Sequence, residues 1–370
     1  MEGPRAVRQS EFESLRALTS TVFGADLVQS YPQLFNADNA DNLRVCVDDG
    51  QCVSHVGMKV NGASLFGCQI KVGCIGAVST FPEYRGQGLA SACFDDAVNK
   101  AYHDGVDIMI VSGDRDLYRR RGCLNVGRDS RFTVSAQELA GFTARDITVE
   151  VMKDEELPLV MECYRGEPVR FLRPLDDYRY ALQCGVMMGK PSDILVVRDG
   201  DLFLGYVIMQ RPRDNGVAQV VEFAGDRGIL LAALPEIVRR YALNELRWQV
   251  QRHDRIFHAL CSGLPATPIS APGTVKLINF PQLMARLQPR FEELLGRRAA
   301  ARLAFRQDDQ RYSFRCGGDE LVADRDTATR LLFGTVDGQE ALMLEGHGDL
   351  TEVLKAILPL PCLWYGINYV

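Results

Sequence analysis

Apolar residues near the start of the chain recur with a helical period. In "SEFESLRALTSTVF" Phe12, Leu15, Leu18 and Val22 fall on one face, and Ser10 with Glu13 has capping-box spacing, which predicts a helix there. After an irregular stretch the period changes. "LRVCVDDGQCVSHVGMKVNGASLFGCQIKVGCIGAVST" is rich in β-branched residues, with hairpin signals at Asp49-Gly50 and Asn61-Gly62. It predicts an antiparallel meander ending in a strand over 71–80. "GQGLASACFDDAVNKAYHDG" then returns to a helical stripe of Leu89, Cys93, Ala97 and Ala101, and "VDIMIVSGD" is a continuous apolar run, as in a buried strand. A short helix around "RDLYRRRG" and a strand "RFTVS" complete the unit. Meander, helix, strand, helix, strand makes a mixed α/β layer and not a doubly wound one.

The order repeats over roughly 147–264: strands "DILVVRDG", "LFLGYVIMQRP" and "AQVVEFAG", the helix "ILLAALPEIVRRYAL", then the strand "ELRWQVQ". A diverged internal duplication is expected. The proline-rich "GLPATPISAPG" marks a boundary or an ordered connection, and a third unit follows. It has the strand "VKLINF", the helix "FPQLMARLQPRFEELLG", the alternating strands "RLAFRQ" and "RYSFRC", and the helix "DTATRLLFG". Three domains are therefore expected, over 1–145, 146–272 and 273–370. The last residues, "PLPCLWYGINYV", are apolar and aromatic where a frayed tail would be polar, so they are expected to pack against something.

Composition narrows the class. With 370 residues two or three domains are expected, and the apolar and charged fractions are those of a globular protein. The net charge of −6 disfavours nucleic acid as a partner. No apolar stretch is long enough for a membrane span and the N-terminus has no signal-peptide core, so neither membrane nor export is expected. Eleven cysteines without a CxxC pair read as reduced thiols of a cytoplasmic protein, and five histidines lack metal-ligand spacing, so no metal is expected. His55, in the meander, and His103, at a helix end, are expected at the surface.

The candidate chemistry lies in "FPEYRGQGLASA" (81–92), where a strand should turn into a helix. Gly86 and Gly88 bare the backbone there, leaving unpaired N–H groups at the positive end of a helix dipole, which suits an anion such as phosphate. A P-loop would need Lys-Ser or Lys-Thr after its last glycine, and Leu89-Ala90 stands there. A dinucleotide fingerprint would need its first glycine at the strand end, but Pro82 to Arg85 intervene, and Ser91 occupies the place of its third.

"AVSTFPEYRGQGLASACFDDAV" resembles the coenzyme A-binding motif of the GCN5-related N-acetyltransferase (GNAT) superfamily, Gln/Arg-x-x-Gly-x-Gly/Ala, through Arg85, Gly88 and Ala90. In "LYRRRGC" Tyr118 and Gly122 also match, while Cys123 replaces the usual aromatic residue. The three-unit layout resembles the enhanced intracellular survival (Eis) branch, an aminoglycoside acetyltransferase family. That resemblance implies a catalytic GNAT domain with a mixed, largely antiparallel sheet, a degenerate GNAT-like domain, and a sterol-carrier-like α+β domain. It also implies a homo-oligomer.

The resemblance implies acetyl-CoA as co-substrate, held by Arg85 and the amides of Gly86, Gln87, Gly88, Leu89 and Ala90. The strand Val78, Ser79, Thr80 would face the pantetheine, with the amides of Val78 and Thr80 as an oxyanion hole. Tyr118 would protonate the departing thiolate. An alkylamine acceptor of pKa ~10.4 is neutral only about one part in two thousand at pH 7, a cost of roughly 4–5 kcal/mol, so a base is needed. In the Eis branch the terminal α-carboxylate fills that role, which points to Val370. Asp26 falls where acceptor-binding residues often lie. The expected reaction moves acetyl from acetyl-CoA to a primary amine of a small molecule, aminoglycoside- or polyamine-like, in a ternary complex. Two alternatives stay open: a non-catalytic acyl-CoA or lipid binder, and an acyltransferase for a protein or peptide amine.

Overall fold

Two large sheets follow the same path through the molecule. The computed structural model describes residues 1–139, 147–212 and 215–370. With strands numbered along the chain, the first sheet takes β1 (Glu2–Ala6), β2 (Leu43–Asp48), β3 (Gln51–Leu65), β4 (Cys68–Thr80) and β5 (Ile108–Val111) in that spatial order. Pairing is antiparallel up to β4 and parallel between β4 and β5. The helix Leu89–His103 makes the crossover, burying Cys93, Phe94, Ala97 and Ala101. The second sheet uses β7 (Ile147–Val151), β10 (Lys190–Asp199), β11 (Leu202–Gln210), β12 (Val217–Gly225) and β13 (Glu245–Val250), with the same sequence of pairings. Its crossover helix is Arg227–Arg240. The mixed α/β class expected from the pattern is the class observed.

The sixth position of each sheet differs from the sequence-based expectation. The strand β6 (Asp129–Ser135), containing "RFTVS", leaves the first sheet and pairs antiparallel with β13 of the second. Its place beside β5 is taken by β15 (Thr274–Leu277), the strand expected to open the third unit. The two sheets have thus exchanged their closing strands, which local periodicity does not encode. Gly273, at φ +77°, admits β15: a Cβ there would fall 2.0 Å from the Val111 carbonyl oxygen. Two further cross-links join the halves: β8 (Val169–Leu172) pairs β3, and β14 (Ala266–Ile269), from the proline-rich stretch, pairs β6. A two-residue strand β9 (Val186–Met187) pairs β10.

The third unit carries its own antiparallel sheet of β16 (Leu303–Asp308), β17 (Arg311–Cys316) and β18 (Asp319–Asp324). Phe280, Phe291, Phe305, Tyr312 and Phe314 form its aromatic core. That core is continuous with the apolar side of the first sheet. The first helix begins at Phe12, and the expected cap is displaced: Gln9–Glu11 form a 3-10 turn in which Glu11 accepts from the Arg8 N–H and pairs with Arg5. The C-terminal segment is buried, with Ile367, Asn368 and Val370 at 4%, 2% and 4% exposure.

Candidate active site

The site is built where β4 outruns β5. Their parallel rungs join Val72–Ile75 to Ile108–Val111 and stop, so beyond Ile75 a gap opens between the strands. On its other edge β4 remains paired to β3, but with a bulge: Gly57 faces Gly76 and His55 faces Ser79. Ala77, at φ +52°, absorbs the extra length and redirects the strand. Past the bulge, the Phe81 N–H donates to the Val53 carbonyl on the β3 side at 3.1 Å. Alternation along an extended strand therefore turns the N–H groups of Thr80 and Val78 into the gap.

The strand ends in a 3-10 turn, Pro82–Tyr84, fastened by the Tyr84 hydroxyl donating to Asp48 at 3.0 Å. Arg85 reaches back to the Thr80 carbonyl at 3.3 Å and is exposed. Gly86 and Gly88 both have φ +80°, where an L side chain is strained, and added Cβ atoms would meet nothing within 4 Å. Gly88 caps the helix without any side-chain hydrogen bond. Among the described residues, no acceptor engages the N–H groups of Gly86, Gln87, Gly88, Leu89 or Ala90. Five free donors at a helix start suit an anion.

Across the gap, Tyr118 lies in the short helix Asp116–Arg119, 4% exposed, with its ring 5.7 Å from that of Phe94. A Cβ at Gly113 would fall 3.3 Å from the tyrosine ring, so that glycine makes room for it. Burial holds the phenol above its usual pKa, and its hydroxyl has no protein partner among the described residues. A protonated, unengaged hydroxyl is suited to donating a proton.

Val370 arrives from the far end of the chain against Gly76. A Cβ at Gly76 would fall 2.3 Å from the Val370 carboxylate carbon, so only glycine lets this residue approach β4 so closely. Gln33 donates to the Tyr369 carbonyl at 3.0 Å, and the Tyr369 ring lies 6.0 Å from Tyr31 and 5.5 Å from Tyr365. The gap, the free amides, Tyr118 and Val370 thus belong to one end of the first sheet. Asp26 also has a local role. It caps the helix Leu27–Ser30 through the Gln29 N–H at 3.3 Å and pairs with Arg16.

Residues 4–125 match a family model described as an acetyltransferase (GNAT) domain. This segment is a GNAT domain. The GNAT domain makes the chain an acyltransferase, and GNAT acetyltransferases use acetyl-CoA. The whole chain shares its fold with solved structures of low identity. One is a GCN5-related N-acetyltransferase from Anabaena variabilis, at 16% identity and TM-score 0.66, covering 97% of each chain. A probable N-acyltransferase from Enterococcus faecalis has 14% identity and TM-score 0.70, covering 99% of this chain and 98% of that one. Eis1 from Mycobacterium abscessus has 11% identity and TM-score 0.65, covering 99% of both. No curated protein sequence matches the chain.

Several residues that shape this end of the sheet were not apparent from sequence. Gly76 and the bulge at Ala77 have no local motif. His55, expected at the surface, is fully buried, and its Nδ1 lies 2.9 Å from the Ala77 carbonyl. Burial lowers its pKa to about 4, so at neutral pH Nδ1–H donates to that carbonyl and supports the bulge. The meander's polar-looking "CVSHVG" hides this, because β3 is covered on both faces. His103 is exposed, as expected. Among the described residues no three His, Cys, Asp or Glu side chains are grouped to hold a metal, and no helix is long and apolar enough to cross a membrane.

The corresponding turn of the second sheet is built differently. There the Gly225 N–H donates to Glu167 at 3.3 Å, Asp226 caps the crossover helix through the Ile229 N–H, and Arg227 pairs with both Glu167 and Asp254. Protein carboxylates accept from two amides of this turn, at Gly225 and Ile229, and they would repel a phosphate.

Proposed function

We propose that this chain transfers an acetyl group from acetyl-CoA to the primary amine of a small molecule, aminoglycoside- or polyamine-like, by direct attack in a ternary complex. The observation that carries the reading lies at one end of the first sheet: five unengaged amides at Gly86–Ala90, the Val78 and Thr80 amides that strand alternation turns into the gap, and the Tyr118 hydroxyl. The turn amides and Arg85 bind the pyrophosphate. Ser79, held between them, keeps the strand on β3 so that the Val78 and Thr80 amides face the thioester oxygen as negative charge develops. Tyr118 gives its proton to the leaving sulfur.

The α-carboxylate of Val370 orients the amine and takes its proton, directly or through water. A terminal carboxylate has a reference pKa near ~3.5 and is ionised at pH 7, so it attracts an ammonium and shifts little proton by itself. Three units serve this chemistry: the catalytic GNAT domain over 1–145, a degenerate GNAT-like domain over 146–272, and a sterol-carrier-like domain over 273–370. Supporting the second assignment is the repeated sheet path with carboxylates at its turn.

The test measures CoA release with a panel of aminoglycosides, polyamines, arylalkylamines and lysine peptides. Deleting Tyr369 and Val370, or adding a C-terminal tag, should leave acetyl-CoA binding intact and reduce transfer steeply. Transfer at the wild-type rate by the tagged protein would refute the role of Val370. A preference for lysine peptides over every small amine would refute the acceptor class.

A further inference from the structure

The gap that opens between β4 and β5 has a counterpart in the second sheet. There β12 and β13 share parallel rungs only over Val217–Gln219 and Glu245–Arg247, then part. A bulge follows at the same place: Ile208 of β11 faces Glu222 while Met209 faces Val220, leaving Val221 as the extra residue. This second gap is filled by protein. The Trp364 indole N–H donates to the Val221 carbonyl, and a cavity of ≈ 50 Å³ remains beside the ring.

The rest of the tail is held by the same strands. Gln251, just past β13, donates to the Cys362 carbonyl at 2.5 Å. Gly366 crosses directly over Glu222: a Cβ there would fall 1.6 Å from its Oε2. Glu222 is 5% exposed and accepts from Arg173 at 2.8 and 2.5 Å and from the Tyr206 hydroxyl at 2.7 Å. The third edge of the guanidinium, Nε, donates to Asn368 Oδ1 at 2.6 Å. A buried ion pair is tolerable only when its remaining donors and acceptors are satisfied. The tail supplies the missing acceptor, two residues before Val370. Asn368 also reaches Asn61 of the first sheet, at 3.4 Å.

We propose that the gap between β12 and β13 is a peptide-binding site whose ligand is the chain's own segment 362–370, and that this site sets the position of Val370 at the first sheet. Trp364, Glu222, Arg173 and Asn368 are positioning residues for the transfer reaction, and none of them lies at the thioester. The inference rests on the reading that Val370 serves the acetyl-transfer site.

The test uses two full-length variants, Gly366→Ala and Trp364→Phe. The first forces the tail off Glu222. The second removes the indole N–H and part of the ring volume but keeps an aromatic side chain, a milder change that serves if the first variant does not fold. Three quantities are read: release of Val370 by carboxypeptidase, kcat with the best amine of the panel, and acetyl-CoA affinity by calorimetry. The expected result is Val370 released at least about 10-fold faster and kcat lowered about 10-fold or more, with acetyl-CoA affinity unchanged, since a displacement near 1 Å can cost ~10²-fold. Unchanged carboxypeptidase protection in both variants would overturn the tail site. Faster release with unchanged kcat would leave the tail site standing as an anchor and overturn the role of Val370 alone. A merely structural loss would weaken acetyl-CoA binding along with turnover and would overturn the positioning role.

Discussion

Gly76→Ala puts the contact between β4 and Val370 under direct strain. The new Cβ would lie 2.3 Å from the Val370 carboxylate carbon and 3.1 Å from its Cγ2. Carbon atoms in contact prefer about 3.5–4.0 Å, so the overlap exceeds ~1 Å. β4 yields little, because Gly76 is paired to Gly57 on one side and the Val72–Ile75 rungs hold the strand on the other. Val370 must therefore retreat by roughly 1 Å or more. A displacement of that size at a reacting group costs on the order of 10²-fold in rate, while overpacking costs about 1–3 kcal/mol in stability. Acetyl-CoA affinity should hold, since the turn at Gly86–Ala90 is untouched. Steady-state CoA release at saturating substrates, with calorimetry of acetyl-CoA, measures both. Gly57→Ala is the comparison: its Cβ would meet Leu34 Cδ2 at 3.0 Å, His55 Cε1 at 3.1 Å and the Gly76 carbonyl oxygen at 3.2 Å, a smaller overlap that does not touch Val370, so it should cost less turnover. Turnover by Gly76→Ala within threefold of wild type would refute the argument that the last residue must sit against this strand.

Tyr118→Phe should keep acetyl-CoA affinity and lose about 10²-fold or more in kcat, and unchanged turnover would make Tyr118 a packing residue. Calorimetry should find one acetyl-CoA per chain, abolished by Gly88→Glu, whose carboxylate would meet the phosphates; two equal sites would contradict the carboxylate-filled turn at Gly225 and Asp226. His55 has its pKa lowered to about 4 by burial, so the unfolded chain binds its proton first as pH falls. Stability contributed by neutral His55 is present above pH ~6.5 and lost as pH falls toward 4. In urea unfolding between pH 4 and 7, His55→Gln should therefore flatten the pH dependence relative to wild type, and an unchanged slope would mean that His55 is not buried in solution.

Residues that interact with near neighbours were legible in the sequence, and residues that interact across the chain were not. The turn at Gly86–Gly88 announces itself because positive φ demands glycine locally, and the helix stripe Leu89–Ala101 because burial on one face imposes a period. The apolar tail was readable as packed, since "CLWYGINYV" would be costly in water. Gly76 is different: its small size is required by a residue almost three hundred positions away, and an isolated glycine in a strand carries no such address. The exchange of β6 and β15 was hidden for the same reason, because either strand satisfies the edge of β5 by pattern alone. Asp26 was legible as acidic and not as a cap: an acidic residue after a helix suits an amine ligand and a helix cap equally, and the Gln29 N–H shows the capping contact.

The exchanged strands also order events in time. During synthesis at about 5–20 residues per second, β5 emerges long before β15, so for on the order of 10–30 s the first sheet has an open edge at Ile108–Val111. An exposed apolar edge is a template for pairing with other chains, which makes the nascent N-terminal half a natural client for chaperones. A fragment ending near residue 145 lacks β15 and offers that edge only β6, which in the whole chain pairs with β13. The first sheet is closed only once residues 274–277 have been made.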